Sequence, residues 1–176
     1  SVQLVVHRGT QTIGGSCIEI KAAGARLILD AGRPLDAPRE AEGLLPATLD
    51  REAPATVLFS HAHVDHWGLI DELPLHWSIW SGEKSAELMR LTAELFGGGI
   101  TRPINTWNSR STGFIVDGFA ITPILTDHSA PDAYMLLIEA AGKRILYSGD
   151  FRAHGRKASL VEAVIANPPR DIDVLI

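Results

Sequence analysis

The sequence predicts an α/β fold in which many short strands and a few interspersed helices form two sheets, or a sandwich covered by helices. Three observations predict it. Short apolar runs such as "VQLVVH", "TVLFS" and "AYMLLIEA" recur along the chain, bounded by glycine, proline and aspartate. One segment, residues 82–96, carries a clear helical period. And three of the strands run directly into histidine or aspartate, which places chemistry at strand ends, where a rigid scaffold can hold it.

Taken in order, the first strands are "VQLVVH" (2–7), "SCIEI" (16–20) and "RLILD" (26–30), separated by glycine-bearing turns. Cys17 lies within the apolar-polar alternation and reads as a small buried hydrophobe. Residues 33–54, rich in Pro and Ala, read as a loop containing a short helix. "TVLFS" (56–60) is a buried strand, and "WGLIDEL" (67–73) is a short helix. After "HWSIW", the spacing predicts a packing helix over "GEKSAELMRLTAELF", with Ser81 as N-cap and Gly97-Gly98-Gly99 as its end. Leu88, Leu91, Leu95 and Phe96 share its expected core face. "FIVD", "AITPILT", "AYMLLIEA" and "RILYSGD" are further strands. "KASLVEAVIAN" is a helix stopped by Pro168-Pro169, and "DIDVLI" is again a strand pattern.

A length of 176 residues suits one domain able to bury a real core. With no apolar run near the roughly 18 residues of a membrane span, no signal-peptide pattern and a single cysteine, the expectation is a cytoplasmic protein without a membrane partner. The formal net charge of −5 argues against general electrostatic binding of nucleic acid. It does not argue against a nuclease, whose bound divalent cations lie outside that count. The start at Ser1 and the stop within a strand pattern lead us to expect the N-terminal part of a longer domain.

The densest chemistry is "SHAHVDHWG", residues 60–68. Residues two apart in an extended segment point the same way, so His61 and His63 can present imidazoles to one ion. Asp65 and His66 follow at the turn and can reach a second position. Imidazole with carboxylate suits Zn²⁺, and Mn or Fe where oxygen ligands dominate. Farther on, His128 ends the strand "AITPILT", and Asp150 ends "RILYSGD". A carboxylate bridging two cations about 3.5–4 Å apart would offset their repulsion.

The ordered set His61, His63, Asp65, His66, His128 and Gly149-Asp150 resembles the metallo-β-lactamase superfamily, whose fold is a four-layer αβ/βα sandwich. "IGGSCIEI", "RLILDAG", "SHAHVDHWG", "DHSAPDA" and "YSGDFR" resemble in particular the branch containing ribonuclease J and the β-CASP nucleases. The resemblance implies two divalent ions, with zinc expected first. It assigns His61, His63 and His128 to metal one, Asp65 and His66 to metal two, and Asp150 to both. It gives Asp30 a supporting hydrogen-bond role. The family's last histidine ligand has no counterpart here, because only His154 follows Asp150. The expectation is that this ligand, and a β-CASP-like insertion, belong to a continuation of the chain.

The chemistry so implied is hydrolysis by a hydroxide that a dinuclear centre activates, with Asp65 and Asp150 as the catalytic carboxylates and Asp65 orienting the nucleophile. RNA is the expected partner, as a phosphodiester substrate. Ser129 and Asp132 beside His128, and Arg152 and His154 after Asp150, are candidate substrate contacts. The same metal core also serves hydrolysis of small esters, thioesters or lactones, and a non-catalytic metal-binding scaffold is a third reading.

Overall fold

The computed structural model describes residues 1–176. Two sheets form, and each is built from one contiguous stretch of chain. The first has six strands in sequence order: β1 (Val2–Arg8), β2 (Cys17–Ala22), β3 (Ala25–Leu29), β4 (Thr56–Phe59), β5 (Ser78–Gly82) and β6 (Asn105–Trp107). β1, β2 and β3 pair antiparallel, and β3 to β6 pair parallel. The second sheet comprises β7 (Phe114–Val116), β8 (Phe119–Leu125), β9 (Tyr134–Ala140), β10 (Lys143–Tyr147) and β11 (Val174–Leu175), in the order β11-β10-β9-β8-β7. Its pairs are antiparallel except β10–β11. Three α-helices accompany them: α1 (Val64–Trp67), α2 (Glu83–Leu95) and α3 (Ala158–Ala166).

The sheets face each other across a core of Ile18, Ile20, Leu27, Leu29 and Leu58 from the first against Phe119, Ile121, Leu136, Ile138 and Ile145 from the second. On the other face of the first sheet, Ile28, Val57, Phe59 and Ile79 pack with Trp67, Leu69, Trp77, Ala86 and Met89. β4 is thus buried on both faces, which is why "TVLF" is an unbroken apolar run and not an alternation. The α/β sandwich expected from the strand and helix pattern is the fold observed.

Several local expectations shift. No helix forms within residues 33–54. That segment is a chain of turns, anchored by Leu45 and Leu49 in the core and by Arg26, which donates to the carbonyls of Asp50 and Ala53. The helix expected over residues 67–73 forms earlier, as α1, followed by a 3-10 turn at Ile70–Glu72. A strand not anticipated, β6, pairs with β5. Ser81 belongs to β5, not to the N-cap of α2, and its hydroxyl donates to the Gly82 carbonyl.

The core face of α2 also differs from expectation. Ser85, Ala86 and Met89 are buried, while Leu91, Leu95 and Phe96 are exposed. The stripe that packs inward is therefore Ser85, Ala86 and Met89, and the leucine stripe turns outward. Cys17 is fully buried as expected, and burial pushes its thiol up to about 12.

Candidate metal centre

Asp30, the residue after β3, adopts a left-handed conformation (φ 60°), with its backbone N–H still bonded to the Leu58 carbonyl. The next three residues form a bed for α1: Ala31 N–H donates to the His66 carbonyl and Arg33 N–H to that of Val64. Between them, a Cβ on Gly32 would fall 1.6 Å from the Asp65 carbonyl oxygen, so only glycine allows this approach. That carbonyl also accepts the N–H of Gly15, at 2.9 Å. "IGGS" and "LDAGR" therefore hold the loop that carries Asp65 and His66.

The six candidate ligands come together. Ligand atoms of His61, His63 and His128 lie within 4.8 Å of one another, and so do those of His61, His66 and Asp150. Asp150 Oδ2 sits 3.4 Å from His66 Nε2 and 4.0 Å from both His61 Nε2 and His128 Nε2. Asp65 Oδ2 lies 3.7 Å from His66 Nε2. His63 Nδ1 and His128 Nε2 are 3.0 Å apart. Donor atoms in a tetrahedral zinc site are separated by roughly 3.3 Å, so this spacing accommodates a cation.

The electrostatics agree with the geometry. His61 Nε2 is buried with no hydrogen-bond partner, and a cation would satisfy it. Burial pushes His61 down to about 3, helped by neighbouring His66, so its imidazole is neutral and able to donate a lone pair. Burial lowers His66 as well, but the charges of Asp30 and Asp150 outweigh it and lift the group to about 10 in the absence of metal. Asp150 falls to about 2, first through its hydrogen bond with His66. Imidazoles and carboxylates without thiolate fit a divalent cation such as zinc or manganese.

Asp30 is fully buried beside these candidate ligands. Its Oδ2 accepts from His66 Nδ1 at 2.7 Å, Ser60 Oγ at 2.8 Å and Tyr147 Oη at 2.6 Å, while Oδ1 accepts from Ser60 N–H at 2.8 Å. Ser60 Oγ in turn lies 3.0 Å from His61 Nδ1. Sequence reasoning found Asp30 and missed Ser60 and Tyr147, since neither residue type marks a strand end as special.

The candidate substrate residues are placed unequally. Ser129 is exposed at the rim, with Oγ 3.4 Å from His63 Nε2. The Asp132 carboxylate is occupied by protein donors, Ser85 N–H at 2.9 Å and Tyr134 Oη at 2.5 Å. Arg152 is half-buried, with Nε 3.5 Å from Asp127 Oδ1. Asp127, another residue the sequence did not single out, also accepts from Gly155 N–H at 2.6 Å and so ties the loop after Asp150 to the loop of His128. His154 is exposed and outside both groups of converging ligand atoms.

Comparison with known proteins gives a consistent picture. The family model described as metallo-beta-lactamase superfamily matches residues 11–174. An RNase J-like protein of Methanocaldococcus jannaschii is 36% identical over 91 residues, which is 52% of this chain and 20% of that protein. The chain thus spans about a fifth of this curated relative. A crystal structure of a protein of unknown function from Enterococcus faecalis superposes with a TM-score of 0.84 at 21% identity, covering 98% of this chain and 48% of that one. A diphosphatase of the PhnP family superposes at 0.65 with 12% identity, over 99% of this chain and 73% of that one. At such identities these structures show a shared fold. No helix here is long and apolar enough to cross a membrane.

Proposed function

The chain belongs to the metallo-beta-lactamase superfamily of hydrolases, and from that premise we propose that it is a metal-dependent phosphodiesterase acting on RNA. The observation that carries this reading is the placement of the Asp150 carboxylate among His61, His66 and His128. His61, His63 and His128 would hold one cation and Asp65 and His66 a second, with Asp150 placed to serve as a ligand beside His61, His66 and His128. Bound divalent ions supply Lewis acidity, which brings the pKa of a water toward neutrality and polarises the group under attack.

The protein's own side chains do the rest. Asp65 orients the nucleophile and accepts its proton at the carboxylate. Asp150, with 48% of its side chain accessible, opens toward the face where a substrate would arrive. Asp30 keeps His66 in the tautomer that leaves Nε2 free for metal. Ser129, next to His128 in the chain, and Arg152, two residues after Asp150, supply donors for phosphoryl oxygens, with Asp127 beside the guanidinium. The RNA assignment is supported by the similarity to the RNase J-like protein, and small esters, thioesters and lactones are its rival substrates.

The test is direct. Manganese- or zinc-loaded full-length protein is expected to hydrolyse 5′-phosphorylated single-stranded RNA. His63→Ala and Asp150→Ala should each reduce the rate by a factor on the order of 10³ or more, since each removes a ligand. RNA left intact while a thioester or lactone is cleaved would overturn the substrate reading. Activity persisting in both folded variants would overturn the metal-hydrolase reading itself.

A further inference from the structure

We propose that the Tyr147 hydroxyl is a positioning group that sets the separation between the two halves of the metal centre. The proposal rests on the reading that these six side chains hold cations.

The ligands come from different sheets. His61, His63, Asp65 and His66 follow β4 of the first sheet, whereas His128 follows β8 and Asp150 follows β10 of the second. Neither sheet's hydrogen bonding fixes the distance from Asp150 to His66. Something must cross the gap.

Of the hydrogen bonds that cross it at this end of the sandwich, two start from the strands of the second sheet that lie behind the candidate ligands. The Tyr134 N–H donates to the Ser60 carbonyl at 3.0 Å, which holds β9 against the end of β4. β8, which leads to His128, is paired with β9. The other tie is Tyr147, the last residue of β10, three positions before Asp150. Its hydroxyl donates to Asp30 Oδ2 at 2.6 Å, inside a cluster closed to water. The same oxygen accepts from His66 Nδ1 and from Ser60 Oγ, and Ser60 Oγ touches His61 Nδ1. One carboxylate oxygen therefore joins the strand that delivers Asp150 to His66 and, through Ser60, to His61.

Removing the hydroxyl should loosen Asp150 relative to His66 and leave the His61, His63 and His128 group, which the backbone tie supports, nearly intact. The chain contains only two tyrosines, Tyr134 and Tyr147, and this supplies an internal control. Tyr134 also donates a buried hydroxyl to an aspartate, Asp132, away from the ligands. Each loss should destabilise the fold comparably, but only one should alter metal binding.

The experiment is zinc titration of chelator-stripped protein by calorimetry, for wild type, Tyr147→Phe and Tyr134→Phe, with Co²⁺ absorption as a report on ligand geometry. Tyr147→Phe is expected to weaken the least tightly held equivalent roughly tenfold and change the Co²⁺ spectrum, as loss of groups supporting a ligand generally does. Tyr134→Phe is expected to bind as wild type. Wild-type affinity in Tyr147→Phe, or equal losses in both variants, overturns the proposal. No binding by wild type overturns the metal reading beneath it, and since no substrate is used, the RNA assignment is tested separately. Should Tyr147→Phe not fold, 3-fluorotyrosine-labelled Tyr134→Phe carries one fluorine resonance. That resonance is expected to move in step with added zinc, and an unmoved line overturns the proposal.

Discussion

Asp30 is a non-glycine residue at φ 60°, fully buried and charged, and each of these features is costly alone. Four donors offset the cost. Burial pushes its carboxyl up, yet the charge and hydrogen bond of His66 bring it below the ordinary carboxylate range. The His66–Asp30 pair gives metal-free protein a defined pH dependence. His66 titrates near 6.5 when unfolded and near 10 when folded, so its stabilisation is complete below about pH 6.5 and is lost as pH rises through 10. His61, held near 3, has the opposite sign: its neutral form is accommodated, and stability falls as pH drops below about 6.5. Thermal melts in chelator are expected to peak near neutrality and decline on both sides, with zinc flattening the alkaline limb. A melting temperature constant from about pH 7 to 10 would show that Asp30 does not hold His66 protonated. At this scale the candidate ligands were legible because four of them fall within six positions, a closeness that chelation would need. Ser60 and Tyr147 were not, because residues 30, 60 and 147 sit at the ends of three strands in two sheets and no spacing rule joins them.

Among the elements, α2 shows where periodicity and packing part. Its leucines recur at helical spacing, yet the buried stripe is Ser85, Ala86 and Met89, with Ala93 packed beside it. Which apolar stripe turns inward depends on how near the sheet lies, and the sequence of one helix does not contain that distance. The same helix has no side-chain cap of its own. Gly82 occupies the N-cap, where a Cβ would strike the Asp132 carboxylate, and that carboxylate accepts the Ser85 N–H from across the site. Asp132→Ala is therefore expected to destabilise the protein by about 1–3 kcal/mol through the lost cap and the orphaned Tyr134 hydroxyl. Zinc stoichiometry should stay as in wild type. Chemical denaturation checks the first expectation and elemental analysis the second, and an unchanged midpoint would refute the capping role. The long strands were legible from their apolar runs. β6 was not, because its three residues gain their conformation only from pairing with β5.

For the molecule as a whole, the distribution of chain between the sheets matters more than any strand boundary. Everything through Trp107 builds one sheet and everything from Phe114 builds the other, with an exposed turn around Asn108 and Arg110 between them. The N-terminal portion owns His61, His63, Asp65 and His66, and the C-terminal portion owns His128 and Asp150. Severing the chain in that turn would leave two polypeptides, neither with a complete coordination sphere. Their reunion would cost translational freedom that the shared apolar interface must offset, and a divalent ion bridging the fragments would add to that offset. Co-expressed halves should accordingly reassemble more tightly with zinc than with chelator, as fluorescence anisotropy of a labelled half would report. Equal affinity under both conditions would mean that the sandwich holds the centre together without help from it. In the expected case the ion becomes a reversible adhesive, and the fold serves as a two-part detector of free divalent metal.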